Sequence, residues 1–243
     1  MSVPGTLHCL GMGPGDPELL TLKAARLIAA APVVAYFAKR GRLGHARGIA
    51  AAHIGPDAEE LRFEYPYTTE IPAEDPRYEH AMRGFYEGCA AAAGARLAAG
   101  RDVALLCEGD PFFYGSAMYV FDRLAGAYPC EVVPGVTGMS GCWAQARLPM
   151  THGDDVLTVL PGTLDEASLA ERLAASDAAV IMKVGRNLPK IRAALGRAGL
   201  AERAVYVERG TMAGTRVVGL TELPDGPAPY FSLVLVAGRQ RTR

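Results

Sequence analysis

Residues 11–17 read Gly11-Met12-Gly13-Pro14-Gly15-Asp16-Pro17 and follow the apolar run 7–10. A short apolar run that breaks into Gly and Pro reads as a buried strand leading into a sharp turn. Two more turns of this make occur: Glu108-Gly109-Asp110-Pro111 after the run 103–107, and Pro134-Gly135-Val136-Thr137-Gly138-Met139-Ser140-Gly141 after 131–133. Beyond each turn the apolar spacing lengthens toward that of a helix. Short apolar runs alternating with helical stretches predict an α/β fold with a mainly parallel sheet. Turns without Cβ atoms at strand ends let backbone approach a ligand, so they predict a small-molecule crevice.

The same reading extends outward from these turns. Asp16 is placed to cap a helix over 17–30, with Pro17 at the first helical position, where its missing N–H costs nothing. A strand follows over 33–37, then helices over 78–99, 114–125 and 137–147. Residues 148–153 lack periodicity and read as a linker. After it come strands at 156–160, 179–183 and 204–208, with helices near 166–175 and 187–197. The last two strands, 215–220 and 230–237, are separated only by 221–229. That gap is too short for a helical crossover, which predicts that these two pair antiparallel. The expected organisation is two α/β domains, 1–148 and 149–243, with the ligand crevice between them.

The 243 residues are 50% apolar and 21% charged, the composition of a globular protein with a sizeable core. A formal net charge of −1 argues against a chain built as a whole to hold nucleic acid or an anionic membrane. The five cysteines (Cys9, Cys89, Cys107, Cys130 and Cys142) form no C-x-x-C pair and lie mostly in apolar runs. They read as buried, reduced thiols, and no spacing suggests a metal site. The amino terminus lacks a basic stretch followed by an apolar one, so the expectation is a cytoplasmic chain without a signal peptide. The longest apolar run, 27–38, contains Pro32 and is too short to cross a bilayer.

Charge is uneven locally. No Asp or Glu occurs between Glu18 and Asp57, yet Lys23, Arg26, Lys39, Arg40, Arg42 and Arg47 do. Arg40, Arg42 and Arg47 are therefore candidates for binding a multiply anionic small molecule through paired hydrogen bonds. A dinucleotide is a poor match for the first turn. Its spacing is G-x-G-P-G-D, Pro14 and Pro17 remove two N–H donors, and Asp16 sets negative charge where a pyrophosphate would lie. The acid expected after the second strand for a ribose is also missing. A nicotinamide-dependent oxidoreductase is thus the distant alternative.

The segments 11–24, 103–116 and 133–148, with 181–186 (IMKVGR) and 206–211 (YVERGT), resemble the tetrapyrrole methyltransferase family. The resemblance implies S-adenosylmethionine as cofactor, S-adenosylhomocysteine as product, and a homodimer of two α/β domains with the cofactor in the cleft between them. It implies cofactor contacts from Pro14, Gly109, Asp110, Phe113, Thr137, Gly138, Met182 and Gly210. Tyr36, Lys39, Glu108 and Tyr114 lie beside these motifs and are the candidates for proton handling. Residues 36–39 (YFAK), the arginine segment and 63–72 (FEYPYTTEIP) are most similar to the branch that methylates C20 of precorrin-2 in cobalamin biosynthesis. Cobalt-precorrin-2, another corrin position, uroporphyrinogen, or a non-tetrapyrrole target such as diphthamide or ribosomal RNA stay open as substrates. RNA is disfavoured by the balanced charge. Uroporphyrinogen methylases of the family carry an aspartate where this chain has Phe37, so an acid–base role there does not transfer.

Overall fold

The run 7–10 forms β1 (Leu7–Gly11), buried at every residue but the half-buried His8. In the computed structural model, which describes residues 3–68 and 75–238, β1 lies inside a five-stranded sheet. The other strands are β2 (Val33–Lys39), β3 (Glu59–Tyr65), β4 (Val103–Cys107) and β5 (Cys130–Val133), in the order β3-β2-β4-β1-β5 and all parallel. Helices α3 (Pro76–Ala98) and α4 (Ala117–Leu124) cover one face, packing on Leu7, Cys9, Phe37, Phe63 and Leu105. Helices α1 (Leu22–Ala30) and α2 (His45–Ile49) cover the other, packing on Leu10, Met12, Val34, Tyr36 and Leu106. Strands buried on both faces must be apolar at nearly every position, which is why β1, β2 and β4 stand out as continuous runs.

The chain divides into two units, Met1–Thr137 and Gly138–Arg243. The division falls ahead of the expected 148/149 boundary because α5 (Gly138–Gln145) packs on strands of the second sheet. Cys142 and Trp143 of α5 join Val180, Val207 and Leu235 in one cluster. The second sheet holds β6 (Leu157–Pro161), β7 (Ala178–Met182), β8 (Ala204–Glu208), β9 (Arg216–Gly219) and β10 (Ser232–Val236), ordered β6-β7-β10-β8-β9. Helices α6 (Glu166–Ala174) and α7 (Leu188–Arg197) cover its opposite face.

Three expectations need correction. The last two strands do not pair with each other; each runs antiparallel to β8, and β10 also pairs with β7. Every residue of β10 is buried, so its Ser-Leu-Val-Leu-Val run takes the centre, whereas half-exposed β9 takes the edge. The helix expected over 17–30 is broken: Asp16 caps a single 3-10 turn over Pro17–Leu19, and Thr21 caps α1. Strand β3 was not anticipated at all. Its alternation is legible in Glu-Glu-Leu-Arg-Phe-Glu-Tyr, where Phe63 faces the core and Glu60, Arg62 and Glu64 are exposed. Glu59, at its start, pairs with Arg96 and Arg101 and so ties β3 to the end of α3. Of the segment 63–72 quoted above, residues 69–72 lie outside the described residues.

The cysteines are unbonded, and four of the five are buried. Burial pushes the thiols of Cys9, Cys89 and Cys107 up to about 12, far from the thiolate range in which cysteine reacts. Among the described residues no cluster suits a metal ion and no helix is long and apolar enough to cross a membrane.

Candidate active site

In the first unit β1 connects through α1 to β2 on one side, and β4 connects through α4 to β5 on the other. The order therefore reverses between the neighbours β1 and β4. In open parallel sheets ligands bind outside the carboxyl ends of the strands at such a reversal. The three glycine turns leave from this edge, after β1, β4 and β5.

The turns are welded to one another. Met12 N–H donates to the Cys107 carbonyl at 2.8 Å, Gly109 N–H to the Gly13 carbonyl at 2.8 Å, and Gly13 N–H back to the Gly109 carbonyl at 3.3 Å. Gly13 and Gly109 make this bridge at φ of 74° and 65°, where a Cβ would be strained. A Cβ on Gly135 would lie 2.1 Å from the Gly109 carbonyl oxygen and 2.8 Å from the Gly11 Cα. The Asp110 carboxylate accepts from Phe112 N–H at 2.9 Å and from Gly135 N–H at 3.0 Å. Several glycines expected to admit a ligand thus admit the neighbouring turn instead. Asp110, expected to contact cofactor, has both carboxylate oxygens engaged in holding the turns. Pro14 is buried, and Phe113 is half-buried with its ring 4.9 Å from that of Tyr114.

Glu108 opens the second turn. It lies beside Ala46 of α2, and burial drives its carboxyl up to about 7 from an ordinary value near 4.5. A carboxyl tuned to that range can take a proton at neutral pH, the property sought in a general base. Tyr36 is 3% exposed beside Glu60 of β3, and burial raises its hydroxyl above the usual range. Lys39, Arg40 and Arg42 are exposed where β2 ends. Arg47 was expected to meet substrate carboxylates, but meets one from the protein: its Nε and Nη2 donate to Glu60 at 3.2 and 2.8 Å. The acid-free stretch 19–56 looked uncompensated because its counter-charges arrive from other strands: Glu60 of β3 for Arg47 and Glu131 of β5 for Lys23. Phe37 packs with Phe63, Tyr65, Phe85 and Tyr86 on the α3 side, at centroid distances of 5.6–6.2 Å.

Tyr114 is exposed at φ 56°, and Ser116 follows it at the head of α4. The Tyr65 hydroxyl donates to Ser116 Oγ at 2.7 Å, and the Tyr86 hydroxyl lies 3.1 Å from the same oxygen. One serine thereby ties the Glu108–Ser116 turn to β3 and α3. Ser116→Ala leaves two part-buried hydroxyls without that partner and should cost about 1–3 kcal/mol, read as a lower urea midpoint.

In the second unit β7 and β8 run the same way, since both are antiparallel to β10. Met182 ends β7 and Gly210 follows β8, so they share one edge. A Cβ on Gly210 would lie 2.6 Å from Cys142 Sγ, pressing that turn onto α5. Met182 joins Met139 and Cys142 of α5 in the same cluster. At Gly138, which starts α5 directly after Thr137, a Cβ would meet nothing within 4 Å. Lys183, Arg209 and Thr211, beside these motifs, hold positive φ of 56°, 51° and 66°. Such backbone costs of the order of 1–3 kcal/mol per residue and clusters at ligand sites.

Comparison with known proteins agrees with this arrangement. Residues 6–224 match the model of the tetrapyrrole (corrin/porphyrin) methylases. The chain is 56% identical over 234 residues to a precorrin-2 C(20)-methyltransferase of Sinorhizobium sp, covering 96% of each. It is 45% identical over 241 residues to the cobalamin biosynthesis protein CobIJ of Mycobacterium tuberculosis H37Rv, spanning 99% of this chain but 47% of that one. The solved uroporphyrin-III C-methyl transferase of Thermus thermophilus complexed with S-adenosylhomocysteine superposes with a TM-score of 0.67 at 27% identity, covering 96% of this chain and 92% of that one. With its glycine turns, its two sheets and a match over most of its length, the chain belongs to the tetrapyrrole (corrin/porphyrin) methylase family.

Proposed function

We propose that this chain transfers a methyl group from S-adenosylmethionine to C20 of precorrin-2, giving precorrin-3A and S-adenosylhomocysteine in cobalamin biosynthesis. The 56% identity to the Sinorhizobium enzyme over 96% of both chains carries this reading. The residues present suit the cofactor: strained backbone at strand ends, open space beside Gly138, and the half-buried thioether of Met182 on the same cluster as α5. The proposed contacts are Pro14, Gly109, Asp110 through its backbone, and Phe113 in the first unit. In the second they are Gly138, Met182 and Gly210, with Thr137 just before it. The bound cofactor supplies a methyl already activated on sulfur.

What remains for the protein is alignment, exclusion of water and removal of one proton. Glu108 is the proposed acceptor of the C20 proton, since burial raises its carboxyl to about 7. Arg40 and Arg42, at the end of β2, are proposed to hold peripheral carboxylates of the ring. The family resemblance supports a cytoplasmic homodimer that works on a small molecule without nucleic acid or membrane. Incubation with precorrin-2 and a 13C-methyl donor should place the label on C20. Label at another carbon, or faster turnover of the cobalt chelate or of uroporphyrinogen, would replace this substrate assignment.

A further inference from the structure

We propose that Arg47 is a positioning residue: by pairing with Glu60 it seats α2 on the sheet, so that α2 stays packed against β4 beside the Glu108 carboxyl. The proposal rests on the reading of Glu108 as proton acceptor. Helix α2 spans His45–Ile49 and carries no side-chain cap at Gly44. Five residues cannot sustain a helix in water, so tertiary contacts must hold it. Its grip on the sheet consists of buried Ala46 and Ile49, the Arg47–Glu60 fork, and the close approach of Gly44 to β2. A Cβ on Gly44 would lie 2.3 Å from the Phe37 carbonyl oxygen. The guanidinium beside Glu60 holds its carboxyl below the usual range, and the fork ties α2 to β3. Ala46, the residue next to Arg47 along the helix, is buried in one cluster with Leu106 of β4, two residues before Glu108.

Several titratable or charged groups are carried by elements that pack on β4. They are Tyr36 of β2, Arg47 and His45 of α2, and His8 of β1 near the strand's other end. Cys107 and Asp110 flank Glu108, and Cys89, Tyr86 and Tyr119 come from the helices on the opposite face. Burial is the largest influence on Glu108, so loosening α2 should admit water and lower its titration.

The test uses the whole protein with Arg47→Met, Glu60→Gln, the double variant and Arg47→Lys. Each single variant should lower kcat by about tenfold while substrate KM and S-adenosylhomocysteine Kd move by less than about twofold. The double variant should be no worse than either single, because one interaction has been removed twice. The low-pH limb of kcat should shift downward, and Arg47→Lys, which keeps charge but loses the fork, should fall between. The Glu108 carboxyl 13C resonance, assigned with Glu108→Gln, reports the same shift without turnover. A rise in substrate KM in Arg47→Met that Glu60→Gln does not share would return Arg47 to substrate binding and overturn the proposal. An unmoved Glu108 titration in both Arg47→Met and Arg47→Lys would overturn it as well. Wild-type kcat in Glu108→Gln would instead remove the reading on which it rests.

Discussion

Glu108→Gln is expected to lower kcat by about 10²–10⁴-fold while S-adenosylhomocysteine binds with nearly unchanged affinity. Glutamine keeps the volume and a polar carbonyl, so the turn should retain its shape. What it loses is the capacity to take up a proton. The same variant makes a second prediction of opposite sign. In the native protein the Glu108 carboxyl titrates near 7 rather than near 4.5, so ionising it opposes folding. Stability linked to this group is fully present below about pH 4.5 and is lost as pH rises through about 7. Glu108→Gln should therefore match wild type at pH 4.5 and exceed it in thermal stability at pH 8. An inactive variant that is also more stable at high pH is what a buried base predicts. Loss of activity accompanied by lower stability at every pH would mark Glu108 as part of the turn's framework instead.

Gly135→Ala is expected to damage the fold itself. The added methyl would stand 2.1 Å from the Gly109 carbonyl oxygen and 2.8 Å from the Gly11 Cα, and neither backbone can yield without breaking the Gly13–Gly109 bridge. The substitution should destabilise by about 3 kcal/mol or more, a fall of roughly 10 °C in Tm, and abolish cofactor binding with it. Gly138→Ala is the contrasting change. A Cβ there meets open space at the start of α5, so Tm should hold or rise slightly. If cofactor approaches Gly138, calorimetry with S-adenosylhomocysteine will show about tenfold weaker binding on an intact fold. A Tm unchanged in Gly135→Ala would mean that the three turns are not mechanically joined.

Among the residues legible beforehand, β1, β4 and the three turns stood out because a central parallel strand leaves no polar face to interrupt it. Strand β3 alternates charged and apolar residues and so shows no continuous apolar run, and Glu60 meets Arg47 only where α2 lies against the sheet. Asp110 was legible as a site residue but not as the clamp between two turns, a role set by where Gly135 N–H arrives.

Local composition and spacing by themselves settled the α/β class, the position of the glycine turns and the family resemblance, because each depends on residues near one another in the chain. Tertiary structure alone decided three things. Strand β10 takes the centre of the second sheet because its run is apolar on both faces. The turn glycines serve one another because β1, β4 and β5 are neighbours in the first sheet. The half-buried carboxyl at the head of the second turn, beside α2, titrates near neutrality, since desolvation depends on what surrounds a group rather than on what precedes it.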